Sequence, residues 1–376
     1  MTDASIPLNV LDLAPVVAGG TAAQALRDAV DLARHAESWG YHRYWVAEHH
    51  FVAVASVAPA VLIGQILAAT DRIRVGAAAV QLGYTTTISV AEAFGTLAAL
   101  HPGRVDLGVG RSAQRRQQAL AAAGASKAAQ DTTAAQALPR VVDGVVVPAP
   151  FDPSRVLARP RVLASLDALI PEGAAAPSFS QQVTDLADLA AGVFTARGTA
   201  LRSTVAECID GPVWVFGSSA GESATVAGRR GLPFVANYHV SPATTLDAVA
   251  AYRAAFRPGT LQRPRVVVSA DVVVADTDQQ AHRLAAGYAR WVHSIRFGDG
   301  AIPFPTDSDD LTDEQLAGVA DRTETQFVGA PSAVAARLRA LARVTGADEL
   351  VVTSVTHDHG ARLRSHELLA KEWGIL

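Results

Sequence analysis

The chain has 376 residues, of which 49% are hydrophobic, so it can bury a large core as one domain of α/β-barrel size. Its 32 basic and 36 acidic residues give a net charge of −4 without a basic stripe or an acidic tail, which argues against nucleic-acid binding and a disordered charged arm. The single cysteine, Cys208, excludes an internal disulfide. We see neither a signal-peptide pattern nor an apolar run of roughly 20 residues, and therefore expect a cytoplasmic protein.

Apolar runs alternate with helical segments along the chain. Strands are predicted over residues 8–16, 41–47, 73–82, 104–110, 212–217, 233–240, 265–275 and 349–356. Helices are predicted over residues 21–39, 56–70, 88–100, 178–193, 223–230, 244–256, 277–296, 331–344 and 362–373. This alternation predicts an α/β fold, a (β/α)8 TIM barrel that takes residues 1–376 as a single domain. An open doubly wound sheet is the alternative.

Two segments interrupt the alternation. Residues 112–177 are rich in Ala, Gln and Pro and show no clean strand. Because a structureless loop of that length is uncommon in a compact domain, we predict an insertion after strand 4, with some helix of its own, over the barrel mouth. A smaller irregular segment, residues 297–325, follows the seventh helix.

Histidines follow several predicted strands, at the end where barrel enzymes hold their active sites. Glu48, His49 and His50 end the second strand, and His239 lies in the sixth. Imidazole can exchange a proton near neutral pH and can donate to a developing anion. The alternative interpretation is a histidine in a solvated loop. Two adjacent histidines that follow an apolar strand make this alternative less favoured for His49.

Potential anion ligands follow the fourth and fifth strands. Arg111 lies where a strand meets a loop, and a guanidinium there can hold a phosphate through two parallel hydrogen bonds. Ser218, Ser219 and Ser223 surround a predicted helix start, where backbone N–H groups and the helix dipole attract anions. The alternatives are a surface arginine paired with an acid and plain N-capping by serine.

Several separated motifs occur in order along the chain. They read YWVAEHHF over residues 44–51, HPGRVDLGVGR over 101–111, FVGAP over 327–331 and TGADEL over 345–350. These motifs, with the rest of residues 74–111, resemble the bacterial luciferase-like flavin-dependent monooxygenases. The resemblance covers residues 6–111 and 212–376 and does not cover 112–177.

The resemblance implies a role for each matching residue. His49, the first histidine of the Glu-His-His motif, is expected beside the flavin ring, where it assists oxygen chemistry. A non-proline cis peptide is expected between Ala78 and Ala79, against the isoalloxazine. The residues expected to hold the flavin phosphate are Arg111, Ser218, Ser219 and Ser223. The residues assigned to the substrate side are Tyr238 and His239.

The same resemblance implies an enzyme that uses reduced FMN and O2, through a C4a-peroxyflavin, to oxygenate a small organic substrate. Since no dinucleotide fingerprint occurs in the sequence, we expect a separate flavin reductase to supply the reduced FMN. The oxygenation requires a dry cavity, and residues 112–177 are the expected lid. The resemblance is also compatible with a homodimer, and we expect no metal, nucleic acid or membrane as partner.

Two departures from the family pattern stand out. Residues 83–87 read GYTTT where the family has Asn or His followed by Pro, and residues 220–222 make the serine-rich turn one residue longer. Three alternative functions stay open. They are a deazaflavin-dependent oxidoreductase of the same barrel, a flavin-binding protein without catalysis, and a metal-dependent hydrolase using His49, His50, His357 and His359.

Overall fold

The computed structural model describes residues 6–111, 138–152, 156, 159–170, 177–298 and 300–376. The predicted insertion at 112–177 thus falls largely outside the described residues, and its place over the barrel mouth stays a prediction. Within the described ranges, no helix combines the length and the apolar character needed to cross a bilayer.

The strands form one large parallel sheet and two small hairpins. They are β1 (Leu8–Asp12), β2 (Arg43–Val46), β3 (Arg74–Ala77), β4 (Val80–Gln81), β5 (Val105–Asp106), β6 (Gly108–Gly110), β7 (Arg140–Val142), β8 (Val145–Val147), β9 (Thr195–Ala196), β10 (Thr199–Ala200), β11 (Trp214–Gly217), β12 (Phe234–Ala236), β13 (Val266–Val274), β14 (Phe327–Gly329) and β15 (Glu349–Thr353). The order in the large sheet is β4-β6-β11-β12-β13-β15-β1-β2-β3-β5, and β14 pairs with β13.

The large sheet curls back on itself. Strands β3 and β4 flank the Ala78–Ala79 peptide, and β5 and β6 flank Leu107. Val75 pairs with Val105 and Val80 pairs with Val109, so the two ends of the strand order lie side by side. This confirms the predicted α/β fold with a curled parallel sheet and does not fit the open doubly wound alternative.

Helices follow the strands and cover the outside of the sheet. They are α1 (Ala22–Ser38), α2 (Pro59–Ala69), α3 (Thr87–Leu100), α4 (Pro160–Leu169), α5 (Phe179–Ala190), α6 (Glu222–Arg229), α7 (Thr245–Ala255), α8 (Asp278–Ala285), α9 (Tyr288–Phe297), α10 (Asp313–Ala317), α11 (Ala320–Thr323), α12 (Pro331–Thr345) and α13 (His359–Trp373). Thr21 caps the first helix, because its Oγ1 accepts a hydrogen bond from Gln24 N at 3.2 Å.

The hairpin β7–β8 corrects the prediction that residues 112–177 contain no clean strand. Its turn is Asp143–Gly144, and both residues have positive φ, 46° and 84°. An Asp-Gly pair between two valine runs is a strong signal for a two-residue hairpin turn. The surrounding sequence is rich in Ala and Gln, and this composition concealed the local signal.

The sixth strand is shorter than predicted, and the helix that follows the seventh strand is divided in two. The sixth strand ends at Ala236, and residues 237–240 form a turn in which Val240 N donates to Asn237 O at 3.2 Å. The helix predicted over 277–296 is two helices, α8 and α9, and Gly287 separates them. A Cβ at Gly287 would lie 2.0 Å from Pro305 O, so close approach of the following segment requires glycine there.

Buried charges fill the amino-terminal end of the sheet. Asp106 accepts hydrogen bonds from Arg43 Nε at 3.0 Å and from Arg74 Nη2 at 2.7 Å, and Glu349 accepts one from Arg43 Nη1 at 2.8 Å. Above this network Trp45 and Trp214 pack edge to face at 5.5 Å between ring centroids. Pairing compensates the burial of these charges at the amino-terminal end of the sheet. The carboxyl ends of the strands, at the other end, are where barrel proteins hold their sites.

Candidate functional site

A cavity of about 480 Å³ lies at the carboxyl ends of the strands. This volume falls within the usual range for small-molecule and cofactor sites. Segments that follow β2, β4, β6, β11 and β12 contribute to its wall. The predicted site residues that line it are His49, Ala78, Ala79, Arg111, Ser218, Ser219, Ser223 and His239.

Small residues form one wall of the cavity. The Ala78–Ala79 peptide is cis, as the resemblance implies, and both side chains pack on the apolar cluster that contains Trp45 and Phe216. Gly217 also lines the cavity, and a Cβ there would lie within 3.0 Å of Ser223 Cβ. This wall can therefore accept a flat apolar group at close range.

The Glu48 carboxylate organises the histidine side of the cavity. Its Oε2 accepts a hydrogen bond from Gln81 N at 3.1 Å, and its Oε1 lies 2.8 Å from His50 Nε2. The His50 ring also packs edge to face with Tyr84 at 5.7 Å. His49 lines the cavity, and its backbone N–H donates to Ser56 O at 3.1 Å. The loops after β2 and β4 are thus tied together beside His49.

Another part of the cavity wall holds the predicted anion ligands. Arg111 forms an ion pair with Glu222, the first residue of α6, and both residues line the cavity. The N-cap of α6 is Gly221 and has no side-chain cap hydrogen bond, so the neighbouring serines do not act as its N-cap. The hydroxyls of Ser218, Ser219 and Ser223 belong to residues lining the same space.

A buried polar group that sequence reasoning missed lies on a third side. Arg322 Nη2 donates to Tyr288 OH at 2.8 Å and lies 3.3 Å from Asp271 Oδ2. Burial raises the pKa of the Asp271 carboxyl, an effect that the Arg322 guanidinium opposes. Asp271 and Arg322 both line the cavity. The sequence signal for this group was Asp271, the charged residue of a mostly apolar strand. Arg322 gave no such signal, because it lies in a segment without a regular pattern.

His239 lies beside this group, as predicted for the cavity. Its Nδ1 is 2.5 Å from Ser269 Oγ. Burial, with smaller contributions from the nearby Arg322 guanidinium and His49 imidazole, lowers the pKa of His239 to about 3. The His239 ring is therefore neutral at physiological pH and serves as a hydrogen-bonding group.

The structure does not support the prediction that Tyr238 lines the substrate side. Its side chain is 3% exposed, and among the residues described here it is not part of the cavity wall. Its hydroxyl donates to Val146 O at 2.7 Å, and its ring packs against Phe327. Residues 237–240 leave the sheet in a turn, so alternation along a strand does not continue through them. Tyr238 instead fastens the hairpin β7–β8.

The four histidines of the metal alternative are not brought together. His357 Nε2 lies 2.9 Å from Ala18 O, and His359 Nε2 lies 2.9 Å from Asp31 Oδ2, both outside the cavity wall. Over the described ranges, no three His, Cys, Asp or Glu side chains are grouped as metal ligands. The geometry thus gives this alternative no site.

Helix α4 contributes to the wall of the cavity. Arg159, Val162 and Ser165 line the cavity from this helix and the residue before it. Arg159 Nη1 donates to Gly298 O, and Arg161 Nη2 donates to Phe51 O at 2.9 Å. These contacts hold part of the segment between β6 and β11 against the loops that follow β2 and α9.

The model of the family described as "Luciferase-like monooxygenase" matches residues 7–139 and 186–349. The chain belongs to this family. The matched ranges include the histidine motif, Arg111 and the serine turn, so the resemblance noted in the sequence is confirmed. Membership supports an oxidoreductase.

Relatives match over nearly their whole length. The protein YvbT of Bacillus subtilis strain 168, described as uncharacterized, is 36% identical over 371 residues, which cover 97% of this chain and 96% of YvbT. A "Luciferase-like monooxygenase" of Escherichia coli K12 is 32% identical over 375 residues, covering 98% of this chain and 97% of that protein.

Solved structures show the same fold. Apo-MsnO8 superposes with a TM-score of 0.73 at 31% identity and covers 99% of both chains. The oxygenating constituent of 3,6-diketocamphane monooxygenase from Pseudomonas putida, solved with FMN, gives 0.60 at 19% identity over 98% and 97%. An F420-dependent secondary alcohol dehydrogenase gives 0.55 at 15% identity over 96% and 97%. The last two comparisons concern the fold alone.

Proposed function

We propose that this protein is an FMN-dependent monooxygenase that uses reduced FMN and O2 to oxygenate a small organic substrate. The observation that carries the proposal is one cavity whose wall contains an arginine and three serines, small alanine and glycine residues, and histidines. Family membership and the fold of flavin-dependent neighbours support it.

The residues present fit a flavin mononucleotide. The phosphate carries negative charge, and the donors suited to it are Arg111 and the hydroxyls of Ser218, Ser219 and Ser223. The isoalloxazine is flat and largely apolar, and the Ala78–Ala79 wall offers it small side chains and backbone. The bound reduced flavin would supply the electrons for activation of O2.

The chain's own residues would position and protect the reacting groups. His49 would hold or transfer a proton beside the ring, with Glu48 and Gln81 fixing the loop that carries it. His239 and Arg322 would hydrogen-bond the substrate from the other side. Helix α4, with the rest of the 112–177 insertion, would exclude water. A separate reductase would deliver the reduced flavin.

Cofactor titration tests the proposal. We expect oxidised and reduced FMN to bind in preference to F420, and tighter binding of F420 would favour the deazaflavin-dependent alternative. Arg111→Ala should raise the Kd for FMN by about tenfold or more, given about 1.5–3 kcal/mol for a charged hydrogen bond. The Kd for riboflavin, which has no phosphate, should not change. An unchanged FMN Kd in Arg111→Ala would contradict the phosphate role.

Oxygenation is tested separately. Reduced FMN from an unrelated flavin reductase and isotopically labelled O2 would be supplied with aldehydes, ketones, sulfonates and amines as substrates. Incorporation of the label into one of them, detected by mass spectrometry, is the expected result. FMN binding without incorporation into any substrate class would favour a flavin-binding protein without catalysis.

A further inference from the structure

An acidic side chain lies among the predicted phosphate ligands. Glu222 lines the cavity together with Ser219 and Ser223, and its carboxylate forms an ion pair with Arg111. The Arg111 side chain is 13% exposed and the Glu222 side chain 34%. The Arg111 guanidinium is thus mostly buried, whereas the Glu222 side chain is partly exposed.

Glu222 directly follows the serine-rich turn. Residues 218–221 lead into α6, and Glu222 is the first residue of that helix. The N-cap residue, Gly221, provides no side-chain hydrogen bond to the helix start. Glu222 is an acidic residue of the first turn, where it interacts favourably with the positive end of the helix dipole. A flavin phosphate would use the same helix start and the same guanidinium.

We propose that Glu222 is an internal competitor of the flavin phosphate for Arg111. The proposal rests on the proposed FMN-dependent function. Before the cofactor enters, Glu222 forms an ion pair with the mostly buried Arg111 guanidinium. When the cofactor binds, the carboxylate leaves Arg111 and turns to the solvent. Glu222 therefore lowers the affinity for the cofactor and speeds its release.

The charges determine the size of the effect. A phosphate monoester carries about −1.5 to −2 charge at pH 7 and binds arginine through two hydrogen bonds. Binding must therefore break the Arg111–Glu222 pair and bring two anions close together. Solvent and salt screen the repulsion, because Glu222 is partly exposed. A change in Kd of about tenfold is expected, not a loss of binding.

Such a weakening suits a cofactor that must move between two proteins. If a separate reductase reduces the flavin, each catalytic cycle requires FMN to enter and leave this cavity. A site without this competing carboxylate would hold FMN more tightly through the cycle, whereas Glu222 returns to Arg111 as the phosphate departs. The acid thereby adapts the site to an exchanging cofactor.

The test compares FMN binding by wild type and Glu222→Gln, which keeps the size of the side chain and removes its charge. Glu222→Gln should lower the Kd for oxidised FMN by about tenfold, mainly through slower dissociation measured by stopped-flow fluorescence. The Kd for riboflavin should stay unchanged. In an Arg111→Ala background, Glu222→Gln should give a smaller gain, because the competed group is gone.

Two further variants complete the design. Glu314→Gln makes the same change in the first turn of α10, at an exposed residue outside the cavity wall, and should leave FMN binding unchanged. Glu222→Ala should also tighten FMN binding and provides the test if Glu222→Gln folds poorly, which thermal unfolding detects.

The outcomes separate this inference from the proposed function. If wild type binds FMN and neither Glu222 variant binds it more tightly, the inference is overturned and the proposed function stands. An equal gain for riboflavin would also overturn it, because the effect would then not concern the phosphate. If wild type and variants all fail to bind FMN, both proposals fall.

Discussion

The two adjacent histidines after β2 lie in different environments. His50 is held by the Glu48 carboxylate at 2.8 Å and by the edge of Tyr84, so its ring orders the loop. His49 lines the cavity and is close enough to influence the pKa of His239. At the scale of single residues, we therefore propose His49 as the proton-transfer group and His50 as a positioning residue.

We expect His49→Ala to keep FMN binding and to lower the rate of oxygenation by about 10²–10⁴-fold, the usual contribution of a general acid or base. The measurements are the FMN Kd and the incorporation of labelled oxygen into substrate. His357→Ala is the control, since its ring contacts Ala18 O outside the cavity wall. Full turnover by His49→Ala would remove this residue from the mechanism.

Residues at strand ends could be located from the sequence, because parallel strands bring their carboxyl ends to one place. This reasoning correctly grouped His49, the Ala78–Ala79 pair and Arg111. It could not find Arg322, which reaches the cavity from a segment whose position depends on tertiary packing. It also misplaced Tyr238, because the sixth strand ends at Ala236, two residues before Tyr238, and the chain turns there.

At the scale of elements, two helical glycines have opposite surroundings. Gly95 lies in α3 against the short 3-10 helix Ala206–Cys208, and a Cβ at Gly95 would lie 2.1 Å from Val205 O. Gly64 lies in α2, and its nearest neighbour would be Leu97 Cδ2 at 3.3 Å, the end of a flexible side chain. Gly95 thus permits backbone contact, whereas Gly64 does not serve that purpose.

The same substitution should therefore have opposite effects. Gly95→Ala should lower the free energy of unfolding by about 1–3 kcal/mol, because the backbone of 205–206 cannot yield without moving the segment. Gly64→Ala should raise it by up to about 1 kcal/mol through better helix propensity. Urea unfolding of both variants measures this difference. Equal effects of the two substitutions would show that the close contact at Gly95 is unimportant.

Elements were predictable where a local signal agreed with the tertiary environment. The run of apolar residues in β13 and the Thr21 cap of α1 are examples, since burial and capping act within a few residues. The hairpin β7–β8 carries an equally local signal in Asp143–Gly144. The average composition of the surrounding segment hides this signal. The break between α8 and α9 depends on the approach of Pro305, which no local pattern reveals.

At the scale of the whole molecule, two buried imidazoles couple stability to pH. His239 contacts Ser269 beside the cavity, and His366, a buried residue of α13, packs edge to face with Tyr41. In the described part of the chain, neither ring nitrogen of His366 has a hydrogen-bond partner. Burial lowers the pKa of each to about 3 from the ordinary 6.5.

The sign follows from proton uptake. Between pH 6.5 and about 3 the unfolded chain binds protons at both imidazoles and the folded protein does not. Stability is therefore complete above pH 6.5 and is lost as the pH falls. At about pH 5 the loss should be about 2 kcal/mol for each imidazole.

We expect His366→Leu to remove about half of this pH dependence. The free energy of unfolding would be measured by urea titration at about pH 7.5 and about pH 5, and the difference between the two values compared with that of wild type. His239 stays in place, so the remaining half should persist. His282→Leu, at an exposed position on α8, controls for the removal of an imidazole as such. If His366→Leu and wild type lose the same free energy of unfolding between the two pH values, then His366 takes up its proton as readily in the folded protein as in the unfolded chain. Burial of His366 would then not govern the acid sensitivity.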